Sequence, residues 1–169
     1  MKKTDRIYVA GHTGLVGSAI VRRLRAEGFN HLVLRTHAEL DLTDQAATEL
    51  FFHREQIDYV FVAAGLVGGI QANRESPADF FAVNMMIASN VLLYACQTGV
   101  KKLLYLGSAC QYPKECHQPM REDFLLTGLP ERTNEGYALA KICGCQLCSY
   151  MRQQYGVDFI SAIPANTYG

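Results

Sequence analysis

The sequence has no excess of charge of either sign: 16 lysines and arginines stand against 16 aspartates and glutamates. No field therefore gathers nucleic acid or an anionic membrane surface, and neither is expected as a partner. No apolar run approaches the roughly 20 residues of a membrane span. The opening Met1-Lys2-Lys3-Thr4-Asp5-Arg6 leads into a strand rather than the apolar core of a signal peptide, which points to a cytoplasmic protein. Nor is there the two-pair cysteine spacing of a zinc site. Cys143, Cys145 and Cys148 crowd one helix as packing residues, and with Cys96, Cys110 and Cys116 they read as reduced thiols, so no metal is predicted. Repeats, low-complexity tracts and linkers are missing too, and a chain of 169 residues with 49% hydrophobic content suits a single core.

What the chain does have is strands alternating with helices, the α/β pattern of a doubly wound parallel sheet with helices on both faces. The first strand is predicted over 6–10. A helix over about 14–27 follows, with Val16, Ile20, Val21 and Leu24 on one face and Gly28 closing it. Further strands are predicted at 31–35, in a short segment ending near Asp41, and at 58–64, 102–107 and 157–163. Thr43 or Asp44 caps a helix reaching Arg54, and another helix spans 134–155. Ser76-Pro77-Ala78-Asp79 combines an N-cap, a proline at the first helical position and a capping-box acid, opening a long helix that runs to about Thr98. Phe80, Phe81, Val83, Met85, Met86 and their successors are too many for one stripe, so this helix is buried on more than one side. Its second side meets either a partner subunit, in a homodimer built through this helix and the one at 134–155, or further segments of the polypeptide.

The run Gly11-His12-Thr13-Gly14-Leu15-Val16-Gly17 stands between the first strand and the first helix. Glycine lacks a Cβ, so the first allows a tight turn, the second lets a pyrophosphate approach the backbone, and the third lets helix and strand pack closely. The helix N-terminus adds unpaired N–H groups and the positive end of its dipole. About 20 residues on, where dinucleotide-binding folds that take NAD carry an acid for the ribose 2′-hydroxyl, this chain has Arg35. A guanidinium suits a 2′-phosphate, which favours NADP(H); the other reading is a solvated residue at a strand end. Asp41, and the small residues Ala63, Ala64 and Gly65 after the next strand, lie where adenosine rests on the sheet edge.

Tyr137-Ala138-Leu139-Ala140-Lys141 places a phenol and an ammonium one turn apart on a helix face. An adjacent cation stabilises phenolate, so the tyrosine is expected to be more acidic than usual. Ser108 follows the strand that ends in Leu106 and Gly107, at the carboxyl edge where open α/β sheets bind ligands, and its hydroxyl can meet a substrate carbonyl. Glycine turn, strand-end serine and Y-x-x-x-K in this order are independent features that agree on one active site. Asn84, inside an apolar helix, is expected to satisfy a loop backbone rather than to react. Lys114 and His117 either approach substrate or are solvated.

With Val67-Gly68-Gly69-Ile70, Pro77-Ala78-Asp79-Phe80, Gly107-Ser108-Ala109-Cys110-Gln111-Tyr112-Pro113-Lys114, Asn134-Glu135-Gly136-Tyr137 and Pro164-Ala165-Asn166-Thr167-Tyr168-Gly169, these motifs make the chain resemble the extended short-chain dehydrogenase/reductases along its whole length. Within them it is similar to those acting on GDP-linked 4-keto-6-deoxy sugars. The resemblance implies a Rossmann domain over 1–169, a sheet of seven strands, NADP(H), and a C-terminal substrate domain largely absent from these residues. It implies NADPH-dependent epimerisation and 4-keto reduction of GDP-4-keto-6-deoxy-D-mannose. A reductase or epimerase of a related sugar such as a 6-deoxyheptose, or a noncatalytic NADP-binding domain, stand as alternatives. By position, Ser108 and Tyr137 would polarise the ketone, and Lys141 would hold the nicotinamide ribose. Cys110 would move protons at the carbons beside the ketone; on its residue type alone the favoured reading is a small buried filler. Pro164, Asn166 and Thr167 would line the nicotinamide and, at Asn166, the sugar. A histidine acting as second acid would lie beyond residue 169. Ala109, Gln111 and Gly136 depart from the Ser, Ile and Pro common at those positions in the family.

Overall fold

Ile7–Ala10, four consecutive buried residues, form β1 at the middle of the sheet, where a strand covered on both faces must be apolar throughout. In the computed structural model, which describes residues 1–168, the chain then runs α1 (Leu15–Ala26), β2 (Leu32–Val33), α2 (Gln45–Glu55), β3 (Tyr59–Val62), α3 (Ile70–Glu75), α4 (Pro77–Gln97), β4 (Lys102–Leu106), α5 (Glu135–Tyr155) and β5 (Phe159–Ala162). Gly169, the last residue of the terminal motif, lies outside the described residues. The five strands are all parallel in the order β2-β1-β3-β4-β5. The chain moves outward from β1 to β2 and then crosses back to β3, so the two sides part at the carboxyl ends of β1 and β3. Such a switch point is where open α/β sheets hold ligands.

The segment predicted as a strand at 31–35 pairs only at Leu32 and Val33, and the short strand expected near Asp41 does not form. Glu39 folds back onto the Thr36 amide at 2.7 Å and Asp41 onto the Thr43 amide at 2.9 Å, and these side-chain turns replace a ladder. Asp44, not Thr43, caps α2 through the Ala47 amide at 3.0 Å. Ser76 precedes α4 as predicted, yet its side chain makes no capping bond; Pro77 at the start of the helix and Asp79 in its first turn remain. The helix α3 was not foreseen. Six residues are too few for a periodic signal, and it is fixed by the buried Asn73, whose Nδ2 donates to the Gly68 and Gly69 carbonyls at 3.0 Å each.

Helices lie on both faces of the sheet, as expected, but they cover the two faces unequally. One face carries Tyr8, Val60, Val62, Leu103, Tyr105 and Phe159 beneath α2, α4 and α5 in one continuous core. The other is covered by α1 alone, whose Val21 and Leu24 pack with Ile7, Val9 and Phe29. Farther along it, Phe61, Leu104 and Ile160 lie side by side and only partly buried. The helix α4 is long and apolar enough to cross a membrane, which the sequence reading had not recognised. It is a core helix instead, wedged between α2 and α5 over the sheet, and its buried Asn90 donates to the Leu42 carbonyl at 2.8 Å.

Candidate active site

The glycine turn closes around a point where two strands nearly touch. Gly11 has φ +77°, and a Cβ there would lie 2.7 Å from the Ala63 carbonyl carbon and oxygen at the end of β3. Gly17 in the first turn of α1 has no space for a side chain against the Gly11 carbonyl. Gly14 donates to the Gly11 carbonyl at 3.0 Å and precedes the helix with no side-chain cap, so the first N–H groups of α1 stay available to an anion.

Beside this turn opens a cavity of about 590 Å³, a size suited to a nucleotide. Of the predicted cofactor residues it is lined by Gly11, Thr13, Gly14, Arg35, Asp41, Ala63, Ala64 and Gly65. His12, Leu15, Val16 and Gly17 continue the same turn into α1 without lining the cavity. Pro164, Asn166 and Thr167 follow β5 outside it, with Asn166 and Thr167 exposed. Arg35 sits at the rim, with one nitrogen 2.9 Å from the Leu34 carbonyl and another 2.5 Å from Glu55, which also takes Arg6. Asp41 is spent on its own turn. Its carboxyl is held below the usual range chiefly by the Thr43 amide, with the Thr43 hydroxyl adding to it.

Ser108, Cys110, Tyr137 and Lys141 come together one step along the sheet, at the carboxyl end of β4. Leu106 contributes its carbonyl, which accepts from Lys141 Nζ at 3.1 Å. Lys141 is 5% exposed, with its Nζ 5.0 Å from the Tyr105 ring centre and 5.8 Å from that of Tyr137. Burial lowers its pKa to about 8. The Tyr137 phenol is raised by burial; the Ser108 hydroxyl hydrogen-bonds to it and pulls the other way, while Cys110 adds to the rise. The acidic phenol expected from a neighbouring ammonium is therefore not what the structure gives: burial disfavours both charged forms, and it outweighs the pairing. Gly65 joins the two halves of the site. A side chain there would begin 2.7 Å from Asn84 Oδ1 and 3.5 Å from Lys141 Nζ.

Three buried or half-buried amides hold the loops in place. Asn84 accepts from the Leu66 amide at 3.1 Å and donates to the Leu66 and Phe80 carbonyls, as its place in an apolar helix suggested. Gln111, 1% exposed, was overlooked as a functional residue. Its Oε1 accepts from the Ser108 amide at 2.7 Å while its Nε2 donates to Cys145 Sγ at 3.3 Å, tying the serine loop to α5. Gly107 is small because Gln111 fills the space where its side chain would go. Asn134, also overlooked, reaches Cys110 Sγ at 3.1 Å. Lys114 pairs with Glu131 at 2.9 Å, a loop staple rather than a free cation; no contact assigns His117. Among the described residues no group of three or more histidine, cysteine or acidic side chains is placed to hold a metal ion.

The sequence profile of the NAD dependent epimerase/dehydratase family matches residues 7–169. The chain is 57% identical over 167 residues to GDP-L-fucose synthase 1 of Arabidopsis thaliana, covering 99% of this chain and 52% of that one. It is 54% identical over 165 residues to GDP-L-fucose synthase of Escherichia coli, covering 98% and 51%. Its fold superposes with a TM-score of 0.97 on a GDP-mannoheptose C4 reductase from Campylobacter jejuni with NADP bound, at 41% identity over 100% of this chain and 54% of that one. The chain thus spans about half the length of the curated relatives it matches.

Burial of Lys141 has a signed consequence for stability. Below pH 8 the residue is charged in both folded and unfolded states, and the folded state bears the whole cost of burying it. Between about 8 and its ordinary 10.5 only the folded form releases the proton, so its contribution improves as pH rises. Lys141→Met is expected to be more stable than the parent by about 3 kcal/mol at pH 7, with the gap closing toward pH 10. Urea midpoints at pH 7 and pH 9.5 check this; a gap independent of pH refutes it.

Proposed function

The chain belongs to the NAD dependent epimerase/dehydratase family, and from that premise we propose that it is the cofactor-binding half of an NADPH-dependent enzyme that epimerises and reduces GDP-4-keto-6-deoxy-D-mannose to GDP-L-fucose. The observation that carries this reading is one cluster, Ser108, Cys110, Tyr137 and Lys141, beside a glycine-lined cavity. The partly uncovered strip over β3 to β5 and the half-length match to the relatives favour a longer protein in which further chain completes the substrate site.

The residues fit the cofactor. A side chain at Gly11 or Gly17 would collide with the Ala63 or Gly11 backbone and break the turn that a pyrophosphate needs, the first amides of α1 are uncapped, and Arg35 brings a guanidinium to the rim where a 2′-phosphate would sit. When bound, NADPH supplies the hydride that reduces the ketone. The Ser108 and Tyr137 hydroxyls direct hydrogen bonds at the C4 carbonyl oxygen, and Tyr137, kept protonated by burial, gives that oxygen its proton. Lys141, fixed by the Leu106 carbonyl, would hold the cofactor ribose. Cys110 takes the proton from a carbon beside the ketone, and the C–H electron pair passes to the carbonyl oxygen as an enolate facing the same two hydroxyls. Return of a proton to the opposite face falls to an acid further along the chain. One ketone thus serves both inversion and reduction.

The heptose reductase similarity favours a second reading, reduction of a related GDP-4-keto sugar. We also propose a homodimer through α4 and α5, where Phe81, Met86, Leu93, Leu139 and Tyr150 remain exposed. Sedimentation of the full-length protein as a monomer at micromolar concentration removes the dimer.

Full-length protein given NADPH and GDP-4-keto-6-deoxy-D-mannose is expected to yield GDP-L-fucose by NMR, and Tyr137→Phe to lower the rate by roughly a hundredfold or more. Reduction without inversion would transfer the assignment to the second reading, and no turnover of any 4-keto nucleotide-sugar would end both. Arg35→Ala is expected to weaken NADPH binding about tenfold or more and leave NADH binding nearly unchanged, since only the 2′-phosphate distinguishes them. Equal losses for the two cofactors in a fluorescence titration would make Arg35 a strand-end residue.

A further inference from the structure

Asn134 is the last residue before α5, a place where asparagine ordinarily turns its side-chain oxygen onto the first N–H groups of the helix. Here it makes no such bond. Its Nδ2 instead reaches across 24 residues of sequence to the sulfur of Cys110 at 3.1 Å, and its Oδ1 is buried without a partner among the described residues. An asparagine kept for helix stability alone would satisfy the helix and leave no buried acceptor unmet.

The approach is held from both sides. Cys110 lies in the short turn Ala109–Gln111, anchored by the Gln111 side chain on the Ser108 amide. The turn Arg132–Asn134 is held by Glu131, which accepts from the Thr133 amide at 3.2 Å and pairs with Lys114 at 2.9 Å. Lys114 in turn donates its own amide to the Leu129 carbonyl at 2.9 Å. The segment after Cys110 and the segment before Tyr137 are therefore stapled together, and the Asn134 amide is delivered to one atom of the site.

An amide N–H is a directional donor, so the sulfur that accepts it is fixed in position. We infer that Asn134 is the positioning residue of Cys110, donating its side-chain N–H to Sγ so that the sulfur is held facing the carbons beside the substrate ketone. This deepens the proposed function and rests on Cys110 being the base of the epimerisation. Asn134 touches neither substrate nor cofactor in this role; it acts through Cys110.

The test uses the full-length protein with Asn134→Asp, which keeps shape and capping ability but replaces the donor by a carboxylate, and Asn134→Ser, which caps a helix but is too short to reach the sulfur. Alkylation of Cys110 by iodoacetamide at pH 7 is followed on its own peptide by mass spectrometry, with Cys96, distant in sequence and half-buried, as internal reference. Reactivity follows how the sulfur is held and hydrogen-bonded, so Cys110 is expected to react about tenfold more slowly in both variants while Cys96 is unchanged. Exchange of solvent deuterium into the sugar is expected to fall by a similar factor. Cys110 reacting at the parent rate in both variants overturns the inference, as does a loss accompanied by faster Cys96 labelling, the mark of general unfolding. A parent protein that exchanges no deuterium at all sinks the assignment of Cys110 as base instead, so the two failures are separable.

Discussion

The site is organised around one buried charge. Lys141, on the buried face of α5, has the Leu106 carbonyl at the end of β4 as its one hydrogen-bond partner among the described residues. An ammonium in so dry a place is expensive, and proteins tolerate such a cost where the surroundings fix it rigidly. Here the fixing comes from three directions: the strand-end carbonyl, the Tyr105 ring, and the missing side chain of Gly65. The first two belong to β4 and the third to the loop after β3, so the lysine, itself on α5, registers β4, α5 and the β3 loop against one another. Tyr137, one turn earlier, inherits its position from that register, and Ser108 meets its phenol because the serine continues the same strand.

Polar backbone groups placed inside an apolar fold need partners, and at several loops this chain supplies them with side-chain amides. Asn84, Gln111 and Asn90 each bridge a helix and a loop backbone, and each is buried. An amide offers donor and acceptor on one short, uncharged group, so it can satisfy a loop from inside without the desolvation cost of a charge. The loops at the carboxyl edge thereby gain rigidity without secondary structure, which is what a site assembled from strand ends needs.

Sequence reasoning recovered what depends on local chemistry and on long periodic segments. The glycine turn, the strands β1, β3, β4 and β5, the helices α1, α2, α4 and α5, the Y-x-x-x-K pair and the role of Asn84 follow from residue type and spacing. The short elements were not legible in this way. At Asp41 and Thr43 side-chain turns displaced a strand, and α3 depends on Asn73 reaching back four and five residues, a contact that spacing alone does not announce. Gln111 was visible as a departure from the family pattern, and its function became clear only once Cys145, 34 residues on, proved to lie beside it. The direction of the Tyr137 shift was misjudged for a related reason: proximity along a helix is readable from sequence, but burial is a property of the whole fold, and here burial dominates.

The unequal covering of the sheet explains why the site is nonetheless well defined. Every side chain of the catalytic cluster comes from α5 or from the loop that leaves β4, and α5 packs on the fully covered face with α4, Tyr105 and Phe159. The partly exposed strip of Phe61, Leu104 and Ile160 lies on the opposite face and carries none of these side chains. The geometry of the cluster is thus set by the better-packed half of the core, where a displaced atom costs most. Changes on the weaker face reach the site only through the strand backbone, and that backbone is tied on both sides by parallel ladders at β3 and β5. The Leu106 carbonyl that fixes Lys141 belongs to the strand so held, which makes the central ladder, rather than the coverage of the far face, the determinant of where the ammonium sits.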